Sequence, residues 1–163
     1  MRCNLIDPIF LSDQHLIAER RELRMIPPLF ISRAIKNNKP LLNIPKEFTL
    51  NKGHMLFWMD KILYLEKRYD LLTQELLNRN FKPDLSIQFS CELSRLYSAY
   101  NDWTPSENDI SIIKKRIKEK LLMKPNWYRY YSKPLNNEFF KFYNILQGMY
   151  HLSKVNQTLK KFS

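Results

Sequence analysis

The sequence predicts an all-α protein, a compact single-domain helical bundle with long loops and an added C-terminal helix. Glycine occurs only twice in 163 residues, and few segments alternate apolar with polar side chains as half-buried strands do. Several segments instead repeat apolar residues every three or four positions, which is the spacing of one helix face. The length suits one domain with a buried core.

The first predicted helix runs from Asp13 to Met25, because Ser12 can cap it and the Pro27-Pro28 pair is expected to stop it. A short helix over residues 29–36 is predicted to follow. Residues 37–51 contain two prolines and predict a loop.

The longest predicted helix runs from His54 to Asn78. Beyond it, residues 84–88 begin a loop-rich stretch that contains a short helix near Leu93 to Tyr97. The apolar residues of the long helix recur at helical spacing, so they form a stripe that should be buried. The stripe consists of Trp58, Ile62, Leu65, Tyr69, Leu72 and Leu76.

Another helix is predicted to start where Thr104 acts as the cap, Pro105 fits the first turn and Glu107 completes a capping box. An amphipathic pattern from Asn136 to Lys154 predicts the last helix. This last helix is expected to pack on the body of the protein, and a surface for a partner is the alternative. The helix after Thr104 should end at Met123 and bury Ile110, Ile113, Ile117 and Leu121.

The chain is strongly basic, with 27 Lys and Arg against 16 Asp and Glu and a formal charge of +11. Such an excess attracts polyanions, and both nucleic acids and anionic membrane surfaces qualify. In this chain the basic residues precede an aromatic loop and are not arranged along an amphipathic helix face. The predicted partner is therefore a nucleic acid and not a membrane surface. These basic residues are Lys114, Lys115, Arg116, Lys118, Lys120 and Lys124.

The aromatic segment is Trp127-Tyr128-Arg129-Tyr130-Tyr131. Aromatic rings stack on bases and guanidinium groups meet phosphates, so this composition is typical of a nucleic-acid contact. An equally frequent alternative is a hydrophobic turn packed on the core, with solvated lysines nearby. The basic charge of the whole chain favours the first interpretation.

The sequence disfavours a disulfide-rich, secreted, membrane-spanning or metal-binding protein. Two cysteines, Cys3 and Cys91, make no disulfide framework, so a reduced, intracellular and cytoplasmic setting is expected. The first residues do not resemble a signal peptide, and the longest apolar run, Met55 to Met59, is too short to span a bilayer. The three histidines are scattered, so no metal site is predicted.

The first helix carries a candidate reactive cluster. At about 100° per residue, His15, Ala18, Glu19 and Glu22 share one face. Carboxylates beside apolar neighbours and several arginines are typical of reactive sites. The alternative is an ordinary surface helix with ion pairs between residues four apart, and the spacing alone favours that alternative.

The segment Ser12 to Leu23 resembles the first helix of the phage pyrimidine-dimer DNA glycosylases, often called endonuclease V. Rare strings elsewhere occur in the same order and at the same distances, so the resemblance covers about residues 1 to 134. They are Met1 to Leu5, Gly53-His54, Phe57, Asp60-Lys61, Leu65, Lys67-Arg68, Pro105, Glu107, Arg116, Glu119-Lys120, Pro125 and Trp127 to Tyr131.

The resemblance implies a compact helical enzyme whose amino terminus reaches the middle of the molecule. The family's nucleophile is the α-amino group of its first residue, and Met1 stands in that position. We expect Met1 to be retained, because Arg2 is too large for removal of the initiator. An α-amine has a reference pKa of about 8, so a useful fraction is neutral at neutral pH. Glu22 matches the family's catalytic carboxylate.

The resemblance also implies the partner, which is double-stranded damaged DNA bound by a monomer without cofactor or metal. The family has residues around its lesion pocket and on a DNA-facing helix and loop, and these are assigned to the matching positions of this sequence. Around the pocket these are Arg2, Gln14, His15 and Arg21, and on the helix and loop they are Arg116, Lys120, Trp127, Tyr128, Arg129 and Tyr130. Residues 1–134 are then the catalytic domain.

Three positions depart from the family pattern. Met25 stands where the family has an arginine, with Arg24 beside it as a candidate substitute. Arg20 replaces an aromatic residue, and residues 135–163 have no counterpart. The expected function is cleavage of the glycosidic bond at pyrimidine dimers, followed by strand scission by abasic-site lyase chemistry. The alternatives are the same chemistry on another damaged base, a non-catalytic DNA-binding protein and an RNA-binding protein.

Overall fold

The computed structural model describes residues 3–32, 43–50, 53–86, 89, 99–124 and 126–135. Within them the protein is mostly helical, as predicted. Five α-helices are described: α1 (Asp13–Leu23), α2 (Ile26–Ile31), α3 (His54–Phe57), α4 (Ile62–Asn78) and α5 (Glu107–Met123). Two short 3-10 helices, Pro8–Phe10 and Trp58–Asp60, and one antiparallel strand pair, β1 (Arg129–Tyr130) and β2 (Lys133–Pro134), complete the described elements.

Helix α1 begins as predicted, because the Ser12 side chain accepts a hydrogen bond from the backbone N–H of His15. It ends at Leu23, two residues before the predicted end. Helix α1 packs along α4, and Leu16 and Leu23 are fully buried in the shared core. One side of α1 is therefore fixed by the core, and the rest can build a site.

The prolines after α1 begin a helix, whereas they were predicted to end one. Helix α2 starts at Ile26 and carries Pro27 and Pro28 in its first turn. A proline costs nothing there, because its missing N–H would have no helical partner. The predicted helix over residues 29–36 is thus wrong at its start, and its residues beyond Ser32 lie outside the described ranges.

The predicted helix over residues 54–78 is divided, although its apolar stripe is confirmed. All six stripe residues are buried, with at most 4% of any side chain exposed. The division falls at Lys61, which forms an isolated bridge with Tyr100. The next residue, Ile62, donates its N–H to the Ala99 carbonyl at 3.1 Å. A backbone pairing with a distant segment therefore replaces the helical hydrogen bonds at this point.

Helix α5 confirms the predicted burial of Ile113, Ile117 and Leu121, whereas Ile110 is only half-buried because it lies in the exposed first turn. The helix also uses another cap than the one predicted. Ser106 is the N-cap, and its capping box is closed by Asp109 in place of the predicted Thr104 and Glu107. Both pairs fit the same four-residue pattern, so the pattern alone could not choose between them. The basic residues of α5 lie on its remaining faces.

Three predictions fall where the structure gives no description. These are the helix near Leu93 to Tyr97, the helix from Asn136 to Lys154 and the packing of the extension, all of which lie outside the described residues. Among the helices that are described, none combines the length and the apolar character needed to cross a bilayer.

Candidate nucleic-acid interface

A cavity of about 340 Å³ opens between the start of α1, the end of α5 and the aromatic segment. Asn4, Gln14, His15 and Ala18 form one wall. The facing wall consists of Arg116, Ile117, Lys120, Met123, Lys124, Trp127 and Tyr128. The structure therefore brings Gln14 and His15, predicted from the first helix, to the same place as four residues predicted from the far end of the chain.

The cavity is electropositive. Arg116, Lys120 and Lys124 follow each other at intervals of four residues, so they lie along one side of α5 and its end as a basic row. Lys120 and Lys124 are exposed, and Arg116 is half-buried. No carboxylate belongs to the described lining. A cationic groove without acidic side chains is suited to the backbone of a nucleic acid.

Gln14 joins the two walls. Its side-chain amide donates to the Trp127 carbonyl at 2.7 Å, and its side-chain oxygen accepts from the Arg129 N–H at 2.9 Å. Both polar ends of Gln14 thus pair with the backbone of the aromatic segment. The structure places Gln14 as a link between α1 and this segment.

His15 is buried against the aromatic segment. Its ring stacks on Tyr128 with 4.8 Å between the ring centroids and 9° between the planes. Its Nδ1 lies 2.8 Å from the Ser12 hydroxyl. Tyr128 is itself only 6% exposed, so its ring packs against His15 and contributes little accessible surface.

The aromatic segment has one exposed ring at the edge of the cavity. Trp127 is 54% exposed, and the Lys124 ammonium lies 5.4 Å from its ring centroid. Arg129 is also exposed. Tyr130 turns away from the cavity, since its hydroxyl donates to the Ile9 carbonyl at 2.9 Å and its ring covers the Arg79 guanidinium. Of the predicted contact residues in this segment, Trp127 and Arg129 are thus the accessible ones.

Beneath the cavity, Glu19 is fully buried in an ion pair that holds the start of the chain. Both of its oxygens accept from Asn4, through the backbone N–H at 2.9 Å and the side-chain amide at 2.8 Å. Arg68 donates to the same two oxygens at 2.8 and 3.2 Å and to the Ile6 carbonyl at 2.6 Å. Glu19 therefore does not belong to a solvated surface helix, and its carboxylate instead holds Asn4 and Arg68.

The buried ion pair also affects Cys3. This thiol is free and fully buried, and burial together with the Glu19 charge raises its pKa well above the usual value. A thiol in such a place stays protonated and inert. Cys3 therefore has a packing role at the base of the site.

The remaining predicted residues on α1 lie at its carboxyl end. Glu22 is half-buried and lies one turn beyond Ala18, about 6 Å further along the same side of the helix. Arg21 is exposed. Met1 and Arg2 lie outside the described residues. Glu22 does not belong to the described cavity lining.

Arg24 caps the carboxyl end of α1, four residues after Arg20. The Arg20 guanidinium donates to Thr73 and to the Asp84 carbonyl and lies 4.6 Å from the centre of the Tyr69 ring. The pKa of Asp84 is lowered, chiefly because Ser86 donates to it, and the charges of Arg20 and Arg24 add to the effect. The buried Arg24 Nε has no hydrogen-bond partner in the described part of the chain.

Sequence reasoning did not identify Asn4, Asp13, Arg68 or Arg79 as parts of this region. In the sequence, Arg68 appeared only within the Lys67-Arg68 string that resembles the family. Its partner Glu19 lies 49 positions earlier. No local pattern indicates such a pairing. The described residues contain no group of three or more His, Cys, Asp or Glu side chains that could hold a metal ion.

Residues 1–89 match the sequence model of a protein family described as pyrimidine dimer DNA glycosylase. The match contains Glu22 and the α1 wall of the cavity, but it ends before α5 and the aromatic segment. It covers more than half of the 163 residues. The chain belongs to the pyrimidine dimer DNA glycosylase family, whose members are enzymes that act on damaged DNA.

Proposed function

We propose that this protein cleaves the glycosidic bond at pyrimidine dimers in double-stranded DNA and then cuts the strand through abasic-site lyase chemistry. The observation that carries the proposal is the position of Asn4, which lines the basic cavity and is anchored by Glu19. Three residues of chain span at most about 11 Å. An amine three residues before Asn4 is therefore within reach of a sugar bound at the cavity.

The proposed nucleophile is the α-amine of Met1. Its lone pair attacks C1′ of the damaged nucleotide, the bond from C1′ to the base nitrogen breaks, and the base takes the electron pair and a proton. The nitrogen lone pair then opens the sugar ring by breaking the C1′–O4′ bond, and O4′ takes up a proton. The resulting iminium link between amine and open-chain sugar is a Schiff base. Loss of a C2′ proton then expels the 3′ phosphate and cuts the strand. Hydrolysis of the iminium releases the amine.

Glu22 supplies the negative charge that this sequence of steps needs. Positive charge develops on the sugar as the base departs, and a fixed carboxylate stabilises it. The same carboxylate can accept and return protons during ring opening and elimination. Its place one turn from Ala18 is compatible with both roles.

The DNA backbone is proposed to follow the basic row, with Arg2, Arg21 and Arg129 adding phosphate contacts. Trp127 is proposed to stack on a base at the edge of the cavity. Residues 1–134 form the proposed catalytic domain and residues 135–163 an extension of it. We expect the protein to act as a monomer inside the cell, without a metal or cofactor.

Borohydride trapping tests the proposed nucleophile. Reduction of the Schiff base should join the untagged protein covalently to a duplex that contains an abasic site. Acetylation of the amino terminus should abolish the product, because an amide has no nucleophilic lone pair. Acetylated protein that still binds duplex serves as the control. Trapping that survives acetylation would assign the nucleophile to a lysine and contradict the proposal.

Met25 supports a second candidate, the same chemistry on another lesion. Met25 is 52% exposed where the family pattern has an arginine, and Arg24 lies near Asp84. Incision of ultraviolet-irradiated duplex should be compared with incision of duplexes that carry single oxidised or alkylated bases. Activity on the irradiated duplex supports the dimer as substrate. Incision of only another damaged duplex supports this second candidate.

Removal of a charge from the basic row should weaken binding without changing lesion preference. Arg116→Ala and Lys120→Ala are each expected to reduce the slope of log K against log salt by about 1, because each phosphate contact releases about one counterion. The measurement is a salt titration of duplex binding with and without a lesion. Lys118→Ala, an exposed charge of the same helix outside the cavity lining, is the control. A change confined to damaged duplex would contradict the assignment.

A further inference from the structure

Residues 126–135 fold into a hairpin around a turn with unfavourable backbone geometry. We call these residues the aromatic hairpin. Strands β1 and β2 pair Arg129 with Pro134 and Tyr130 with Lys133, so the turn consists of Tyr131 and Ser132. Both turn residues have positive φ angles, 49° and 64°. Such turns favour Gly and Asn, and a tyrosine and a serine adopt them only when other contacts hold them.

Asp13 supplies those contacts. Its Oδ1 accepts from the Tyr131 N–H at 3.2 Å and its Oδ2 from the Ser132 N–H at 2.8 Å. Both donors belong to the left-handed turn residues. Asp13 is 3% exposed, so water competes little for these hydrogen bonds. The first residue of α1 therefore stabilises a turn that lies more than a hundred positions later in the chain.

Arg79 holds Asp13 in place from the end of α4. Its Nη1 donates to Asp13 Oδ1 at 2.9 Å and to the Leu11 carbonyl at 2.7 Å, and its Nε donates to Glu75 at 2.7 Å. The guanidinium also lies 4.7 and 4.8 Å from the ring centroids of Tyr130 and Tyr131. One buried cation thus connects α4, the segment before α1 and the aromatic hairpin.

The other end of the hairpin is held by Gln14, which bonds Trp127 and Arg129. Held by Gln14 at one end and by Asp13 at the turn, the hairpin presents Trp127 beside the cavity. Ordering a loop upon binding lowers affinity, and a loop that is ordered beforehand avoids that cost. Among the described residues, neither Asp13 nor Arg79 lines the cavity, whereas both contact the hairpin, so the hairpin is the route by which the pair is expected to act on DNA.

We propose that the Asp13–Arg79 pair is a positioning device, which sets Trp127 and Arg129 in place for damaged duplex before DNA arrives. This inference rests on the proposed function for its ligand. The pair governs how tightly duplex is held and leaves the chemical step at the sugar unchanged.

Asp13→Asn tests the positioning role, because simple electrostatics and loss of positioning predict changes of opposite sign in Kd. Removing a negative charge from a DNA-binding protein should tighten binding by simple electrostatics. The positioning role instead predicts that Kd for a duplex with a tetrahydrofuran abasic analogue rises about ten-fold, since the hairpin must then be ordered during binding. Asp102→Asn, which removes an exposed carboxylate paired with Lys67, is the matched control and should not raise Kd.

Two further measurements separate positioning from general loss of structure. The rate of borohydride trapping at saturating abasic duplex should stay within about two-fold of the original protein, because the chemical groups are untouched. Adding Ser132→Gly to Asp13→Asn should restore much of the affinity, because glycine adopts the positive φ angle without support. Unchanged or lower Kd in Asp13→Asn, or no recovery in the double variant, would overturn the proposal.

If Asp13→Asn does not fold, Arg79→Lys serves in its place. It keeps the buried positive charge but loses the fork that donates to Asp13 and to the Leu11 carbonyl, so it should give the same rise in Kd with the same trapping rate at saturation. An equal loss in binding and in saturated rate would count against positioning. Binding of the analogue involves no chemistry, so the inference can be tested even if trapping shows that the proposed lyase activity is absent.

Discussion

Glu22→Gln is expected to slow covalent trapping on abasic duplex by about 10²- to 10⁴-fold, the range that a positioned acid–base group supplies. Glutamine keeps the length and polarity of the side chain but cannot carry negative charge or accept a proton. Duplex binding should stay the same or tighten, because a negative charge near the phosphates is removed. The measurement is a single-turnover time course at saturating DNA.

Glu119→Gln is the control for Glu22→Gln, since Glu119 is an exposed carboxylate on α5 outside the cavity lining. It should leave the trapping rate unchanged. An unaltered rate in Glu22→Gln would exclude the carboxylate from catalysis. A joint loss of binding and rate would instead make Glu22 part of the framework that holds the site.

Arg68→Met is expected to destabilise the protein by about 3–5 kcal/mol, because it leaves the buried Glu19 carboxylate without its partner. The adjacent exposed pair gives the contrast. Lys67→Met breaks a bridge to Asp102 whose side chains are 57% and 51% exposed, and it should cost less than about 1 kcal/mol. Urea unfolding of both variants measures the difference in free energy.

A double variant shows whether the loss of stability in Arg68→Met comes from the unpaired charge of Glu19. Glu19→Gln combined with Arg68→Met removes both charges but keeps an oxygen that can accept from Asn4. It should recover at least about 2 kcal/mol of the loss. No recovery would mean that the packing of Arg68, and not its charge, stabilises this part of the core.

Much of the fold could be predicted because it depends on local patterns. Ser12 caps α1 where the sequence indicated, and the stripe from Trp58 to Leu76 is buried as its spacing predicted. The errors occur where distant residues decide. Helical periodicity continues through Lys61, yet the bridge to Tyr100 divides the helix there.

The candidate site was less predictable for the same reason. Helical geometry places Glu19 and Glu22 on one face of α1 and cannot tell them apart. The difference comes from Arg68 of α4, which pairs with Glu19 and buries it, whereas Glu22 is half-buried. Likewise, the sequence showed five aromatic and basic residues in a row, but the contacts of Arg79 determine that Tyr130 turns inward while Trp127 remains accessible.

The cavity has one wall from residues 4–18 and the other from residues 116–128. A ribosome must therefore synthesise nearly the whole of this body before the cleft can close around anything. A chain that stops before residue 116 would contain α1 but would lack the wall that α5 and the aromatic segment supply. Assembly of the complete cleft therefore waits for the last third of translation.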